Sequence, residues 1–184
     1  MNLVEKITTR VGTATRALIC IDGPAGSGKT TLAEHLEAEH DELAVVHLDS
    51  MYAGWTNALS ADLTQRLIEQ IRDPFMSGNP VRYRRYDWYE GAFADHIEIG
   101  APRLLVVEGV GAAQRAMRQH AMVSVFLDVD PATGRARVLD RDGAISAAHI
   151  DDWQRQESAH FEQDGTRDGV DILHPARGTA PFGA

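Results

Sequence analysis

The stretch GPAGSGKT, residues 23–30, decides the fold through its position as well as its composition. It directly follows the apolar run ALICI at 17–21 and precedes a helical pattern over 29–40. Glycines let the backbone curl so that its N–H groups face phosphate oxygens, and the positive end of the next helix dipole adds to the attraction. The alternative is an ordinary glycine-rich turn. Because the lysine, the threonine and both flanks fit, we predict a site for a nucleoside triphosphate.

Further apolar runs predict a sheet around this loop. They are ALICI at 17–21, LAVVHL at 43–48, RLLVVE at 103–108 and MVSVFLDV at 122–129, with GVDIL at 169–173 as a last short strand. The four long runs lack polar alternation, which is typical of strands covered on both faces. A helical spacing is also present in Leu59, Leu63, Leu67 and Ile71, and either Ser60 or Asp62 can cap this helix. This order predicts an α/β fold of three layers with a mostly parallel central sheet.

Length and charge limit the functions to consider. The 184 residues predict one domain, 1–184, with a helical lid at about 131–165 in which Gly143 and Gly165 can act as hinges. A net charge of -9 argues against nucleic acid as a partner. No apolar run approaches the roughly 18 residues of a membrane span, and the N-terminus lacks a signal-peptide core, so we expect a cytoplasmic protein. The one cysteine, Cys20, lies in an apolar run and is predicted to be buried and inert.

Two carboxylates end predicted strands. Glu108 ends RLLVVE and Asp49 follows LAVVHL, so both should reach the sheet edge where open α/β sheets bind ligands. Glu108 can hold Mg²⁺ directly or through water together with Thr30, or it can simply face solvent. Asp49 can accept the proton of an acceptor hydroxyl, or it can be a turn or capping residue. Lys29 is predicted to reach the β- and γ-phosphates of the nucleotide.

In the order GPAGSGKT, HLDSMY, YRRYDW and VVEGVG, the motifs resemble the uridine kinase-like branch of P-loop phosphotransferases, which includes phosphoribulokinase and pantothenate kinase. The resemblance covers residues 18–171 and implies a P-loop NTPase fold, ATP and Mg²⁺ as cofactors and a small-molecule acceptor. It implies that Asp49 is the catalytic base. It also implies that Tyr86 and Asp87 contact a nucleoside, with Tyr52 as a base-stacking neighbour.

Similarity to the lid of these kinases lies in GRARVLDRD, residues 134–142. It implies that arginines of this segment, Arg141 in particular, neutralise the transferring phosphate through bidentate contacts. Exposed helix arginines are the alternative, and adenine can stack on Arg137 or pack on HPARG at 174–178. The residues predicted to contact the nucleotide are Gly23, Pro24, Ala25, Gly26, Ser27, Gly28, Lys29, Thr30, Thr31 and Arg137.

The stretch YRRYDWYEG, residues 83–91, is predicted to be the wall that receives the acceptor. Tyr86 and Trp88 can enclose a flat moiety. Arg84 and Arg85 leave a choice open: facing the cleft they would clamp an acceptor phosphate, as in a nucleoside monophosphate kinase, whereas facing solvent they favour a neutral nucleoside or polyol. Other hypotheses are an ATP-dependent switch or assembly factor, and RNA binding through RYRRY at 82–86. We expect an ATP-dependent kinase whose acceptor is a nucleoside.

Overall fold

The computed structural model describes residues 1–143 and 147–175. Within these residues, five parallel strands form the main sheet, and two antiparallel strands form a separate hairpin. The main strands are β1 (Ala17–Asp22), β2 (Leu43–His47), β5 (Leu104–Glu108), β6 (Val123–Asp128) and β7 (Ile172–Pro175), and the hairpin consists of β3 (Val81–Asp87) and β4 (Ala92–Gly100). The order in the main sheet is β2-β5-β1-β6-β7. The predicted α/β class with a parallel central sheet is confirmed.

Helices cover both faces of this sheet. They are α1 (Leu3–Val11), α2 (Lys29–Glu39), α3 (Ala61–Arg66), α4 (Asp73–Ser77), α5 (Arg115–Arg118), α6 (Pro131–Asp142), α7 (Ile150–Asp164) and α8 (Thr166–Gly169). A 3₁₀ turn, Leu48–Ser50, follows β2, and a π turn, Leu67–Arg72, joins α3 to α4. In the part of the chain that is described, none of the helices combines the length and apolarity needed to cross a bilayer.

Two apolar clusters explain why the strands are uninterrupted apolar runs. Ile19 and Ile21 pack with α1 and α2 on one face, whereas Leu18 and Cys20 pack on the other with residues of the α3–α4 region and Trp153. Successive side chains of a strand point to opposite faces, so a sheet covered twice needs apolar residues at every position. Burial raises the pKa of the Cys20 thiol, which agrees with the prediction of an inert cysteine.

Strand register brings the predicted site together. Glu108 pairs with Ile21 of β1 on one side and with His47 of β2 on the other. The carboxyl ends of these neighbouring strands therefore meet at one edge, which carries the GPAGSGKT loop after β1 and the turn of Asp49 after β2.

Candidate active site

The GPAGSGKT loop curls around the ammonium group of Lys29. Lys29 Nζ donates hydrogen bonds to the carbonyl oxygens of Gly23, at 2.9 Å, and Pro24, at 2.8 Å. Gly26 has a φ of 76° and is closely approached by α6, because a Cβ built on it would lie 2.3 Å from the Gly134 oxygen. The loop thus has the backbone that a phosphate cradle requires, and Lys29 is within it.

Asp22, which no motif indicates, links this loop to the segment 111–113. Its buried carboxylate accepts hydrogen bonds from the N–H groups of Gly23 at 2.7 Å, Gly111 at 2.9 Å and Ala113 at 2.8 Å. Burial raises the pKa of Asp22 to about 6, although these N–H groups and Lys29 oppose the shift. An acid that directly ends an apolar strand was the only sequence signal for this role.

Thr30 and Glu108 supply adjacent oxygens. Thr30 Oγ1 donates to Glu108 Oε1 at 3.2 Å, and His47 Nδ1 lies 2.6 Å from the same oxygen. Glu108 is 5 % exposed, so it does not simply face solvent. Hydroxyl and carboxylate oxygens are the protein ligands that Mg²⁺ prefers, with phosphates and water completing its shell. The donor set therefore fits Mg²⁺, and His47 is a neighbour of Glu108 that no motif indicated.

Asp49 lies in the 3₁₀ turn among charged groups of this edge. Although Asp49 is exposed, neighbouring protein atoms partly desolvate its carboxyl and raise its pKa, and the negative charge of Glu108 raises it further. The positive charges of Lys29 and Arg141 lower the pKa of Asp49, because they stabilise its ionised form. A raised pKa makes a carboxylate a better proton acceptor at neutral pH.

An aromatic wall lies beside Asp49. Its members are Trp55, Tyr86, Trp88, Phe93, His149 and Trp153. Trp88 Nε1 donates to the backbone oxygen of Asp49 at 2.9 Å, and its ring lies 5.1 Å from that of Trp55. Trp55 in turn stacks on His149 at 4.8 Å. The YRRYDW stretch thus reaches the predicted base, and Trp55 and His149 join the wall without having been predicted to do so.

Two residues predicted to contact the acceptor have internal partners. The Tyr52 ring is 2 % exposed, its hydroxyl donates to the Val110 oxygen at 2.9 Å, and it packs on Trp153. Asp87 accepts from the N–H groups of Tyr89 at 2.9 Å and Glu90 at 3.1 Å, and these hydrogen bonds lower its pKa. Tyr52 thus lies behind the wall rather than on it, and Asp87 stabilises the hairpin turn.

The two arginines of YRRYDW are engaged by their own hairpin. Arg84 Nη2 donates to the Phe93 oxygen at 2.6 Å, and Arg85 Nη2 lies 3.6 Å from the Asp95 carboxylate. Arg84 is exposed, and the side chain of Arg85 is 43 % exposed. The sequence left open whether these arginines face the cleft or face solvent, and the observed arrangement is closer to the second.

The arginines of α6 differ in their surroundings. Arg137 donates to the Gly26 oxygen at 3.1 Å and so contacts the nucleotide loop, whereas Arg135 pairs with Asp151 at 2.9 Å. Arg141 forms two hydrogen bonds with Asp142, and these chiefly raise its pKa, with added effects from the negative charges of Asp49 and Glu108. Residues 176–178 of the HPARG stretch, the other candidate neighbour of adenine, lie outside the described residues.

Comparison with known proteins agrees with this fold. The model of a family described as an AAA domain matches residues 19–151, which is more than half of the chain and includes the loop, Asp49 and Glu108. The chain belongs to this AAA domain family. The family match and the fold together confirm the resemblance to P-loop phosphotransferases that the motifs indicated.

Solved structures share the fold of this AAA domain. A protein described as a possible uridine kinase from Bacillus stearothermophilus superposes with a TM-score of 0.66 at 19% identity, over 94% of this chain and 95% of that one. A protein from Silicibacter sp. TM1040, described as a candidate fructose transport system kinase, gives 0.63 at 21% identity, over 94% and 97%. At these identities the likeness shows a common P-loop kinase fold.

Proposed function

We propose that the chain is a kinase that transfers the γ-phosphate of ATP to a hydroxyl group of a small neutral molecule, with a nucleoside as the first candidate. The observation that carries this proposal is the meeting of the Lys29 loop, Glu108 and Asp49 at one sheet edge, with Trp88 joined to Asp49. A nucleotide loop alone would serve any NTPase. A carboxylate of raised pKa beside an aromatic wall supports transfer to an acceptor.

Each residue has a role in this reaction. The loop and Lys29 hold the β- and γ-phosphates, and Thr30 and Glu108 hold Mg²⁺, which neutralises phosphate charge when bound. Asp49 accepts the proton of the acceptor hydroxyl while the hydroxyl oxygen forms a bond to the γ-phosphorus. The bond from that phosphorus to the β-phosphate oxygen breaks, and ADP leaves with the electron pair. Arg141 has its charge near Asp49 and stabilises the phosphoryl group in transit.

A neutral acceptor is favoured over a monophosphate. Arg84 and Arg85, the candidate phosphate clamp, are held by the Phe93 oxygen and Asp95. The nearby carboxylates Asp49 and Glu108 would repel a second anionic ligand. The acceptors to be tested include a nucleoside and a sugar, because one fold relative is described as a possible uridine kinase and the other as a candidate fructose transport system kinase.

The test is ADP release from MgATP with uridine, cytidine, uridine monophosphate, fructose or pantothenate as acceptor. We expect a neutral compound to raise turnover above the ATP-only rate. A response to uridine monophosphate alone would favour the monophosphate kinase, and no response to any acceptor would favour an ATPase switch.

Substitution of Asp49 tests the base. We expect Asp49→Asn to lower kcat at least about 100-fold with the affinity for MgATP nearly unchanged, because only proton acceptance is lost. Asp41→Asn, an exposed acid in the turn before β2, is the matched control and should behave as wild type. Unchanged turnover of the Asp49 variant would remove it from the mechanism.

A further inference from the structure

One of the buried carboxylates that contact the nucleotide loop comes from a distant helix and has no role in the proposed reaction. Glu157, in α7, is 3 % exposed, and its Oε2 accepts a hydrogen bond from the N–H of Ala25 at 2.9 Å. The two residues are 132 positions apart in the chain. A buried charged group is costly unless it is well paired, and the backbone partner of this carboxylate lies in the nucleotide loop.

The segment 153–157 of α7 connects the aromatic wall, of which Trp153 is a member, to the nucleotide loop. Trp153 lies one turn before Glu157. Its ring centroid is 5.2 Å from that of Tyr52 and 5.9 Å from that of Trp55. Gln156 Nε2 donates to the Trp55 oxygen at 2.9 Å. Residues four apart lie on the same helix face, so one turn of α7 joins the donor side to the acceptor side.

The rest of α7 is fixed to the core, so this turn is a stable bridge. Asp164 pairs with the guanidinium group of Arg118 and accepts from the N–H of Arg115 at 2.9 Å. Phe161 packs against Phe126 of β6 at 4.9 Å. The lid predicted at about 131–165 thus includes a helix with many fixed contacts in its C-terminal half.

Phosphoryl transfer depends on such a bridge. The attacking oxygen and the phosphorus must come within about 3 to 3.5 Å in line, and an error of about 1 Å costs on the order of 100-fold in rate. A carboxylate near Lys29 and Asp22 does not help to bind an anionic triphosphate, since like charges repel. Its contribution is therefore expected in the alignment of the loop rather than in nucleotide affinity.

We propose that Glu157 is a positioning residue that fixes the nucleotide loop at Ala25 and so sets the distance between the transferred phosphate and an acceptor held at the aromatic wall. This inference rests on the proposed kinase function for its effect on rate. The hydrogen bond itself is independent of that function.

Three substitutions of Glu157 distinguish the effect of its side-chain length from the effect of its charge. Glu157→Gln keeps the reach and an oxygen that can accept from the Ala25 N–H, but loses the charge. Glu157→Asp keeps the charge but is shorter by one C–C bond of about 1.5 Å, which breaks the hydrogen bond. Glu157→Ala loses both. Glu162→Ala, an exposed acid of the same helix, is the matched control.

The first measurement is amide hydrogen exchange of Ala25 in the protein without nucleotide. We expect exchange to become more than about tenfold faster in the Ala and Asp variants and to remain slow in the Gln variant. Unchanged exchange in the Ala and Asp variants would overturn the proposal, as would protection that follows the charge. If the Ala variant does not fold, the Gln and Asp variants decide.

The second measurement is ADP release from MgATP with uridine as acceptor. We expect kcat to fall about 10- to 100-fold in the Ala and Asp variants, with KM for ATP within about threefold, and the Gln variant to restore kcat. A merely structural role would instead change KM and kcat together with thermal stability. Rescue by Asp and not by Gln, or unchanged kcat in all variants, would overturn the proposal. If wild type shows no acceptor-dependent turnover, the kinase function fails, and the exchange pattern alone decides whether Glu157 fixes the loop.

Discussion

Two buried carboxylates, Asp22 and Glu157, lie beside the lysine of the nucleotide loop. Both accept backbone N–H groups, Asp22 from Gly23 and Glu157 from Ala25. Burial raises the pKa of each to about 6, and Lys29 lowers both. Neither acid can contact the loop without a free-energy cost of desolvation, so they stabilise its geometry at the expense of overall stability.

Because of this desolvation cost, we predict that Glu157 makes the free energy of unfolding depend on pH. Its folded pKa of about 6 exceeds the ordinary value of 4.5, so the folded state binds more protons between these values, and the stability it contributes is lost as pH rises through about 6. We expect wild type to gain about 1 kcal/mol of unfolding free energy relative to Glu157→Gln when pH falls from about 7.5 to about 5. Urea unfolding at both pH values measures this, with Glu162→Gln as a control. A pH-independent difference between the two proteins would contradict the buried acid.

The residues with a motif could be predicted, and those with a tertiary role could not. Lys29, Thr30 and Glu108 follow from a local pattern and a strand end, and the fold brings them together. Tyr52 is an aromatic residue of the kind that stacks on a base. Its hydroxyl nevertheless donates a hydrogen bond to the backbone oxygen of Val110, in a loop distant in sequence. Glu157 gave one signal, an acid four residues after Trp153 on an otherwise apolar helix face.

Helix α6 packs on the nucleotide loop through a pair of glycines, Gly26 and Gly134. A Cβ on Gly134 would lie 2.6 Å from the Ala25 oxygen, just as one on Gly26 would meet Gly134. Asp130 caps the helix by accepting from the Thr133 N–H at 2.9 Å, which fixes where α6 begins. Close approach of the helix thus keeps the backbone of the loop in place.

The contact predicts an unusual effect of Gly134→Ala. In a helix this change ordinarily stabilises by about 0.5 to 1 kcal/mol, but here the added methyl group would clash with the loop backbone. We expect it to lower the free energy of unfolding by about 1 to 3 kcal/mol and to weaken MgATP binding. Urea unfolding and titration calorimetry measure the two effects.

Ala136, exposed in the same helix, gives the comparison. Ala136→Gly should cost only about 0.5 to 1 kcal/mol and leave nucleotide binding unchanged. A Gly134→Ala protein that is more stable than wild type would show that the loop and α6 can move apart at little cost.

Sequence patterns also signal the hairpin strand β3 and helix α1, although neither is among the predicted elements. The hairpin strand VRYRRYD buries Val81 and Tyr83 and exposes Arg82 and Arg84, a period-two alternation that predicts a half-buried strand. Helix α1 begins with a capping box of Asn2 and Glu5. The arginines and tyrosines of this strand also fit a ligand-binding surface, and the pairing of β3 with β4 cannot be predicted from the sequence of β3 alone.

The nucleotide loop and the helix α2 that follows it together contact the two apolar clusters on either side of the sheet. Leu32 and Leu36 of α2 lie in one cluster, and Ala25 of the loop packs against the other. Asp22 and Glu157 add hydrogen bonds from the loop to residues 111–113 and to α7. Nucleotide binding should therefore stabilise the chain as one unit, as the prediction of a single domain, 1–184, requires.

Thermal unfolding tests this. We expect one cooperative transition that shifts upward by about 5 to 10 °C at an MgATP concentration 100 times its Kd, because binding to the folded state alone adds about 2.7 kcal/mol. Lys29→Met, which keeps an apolar stem but removes the ammonium group, should retain the single transition and lose most of the shift. Calorimetry would contradict the prediction if two transitions appeared and MgATP moved only one of them, since the loop would then be coupled to just one part of the chain.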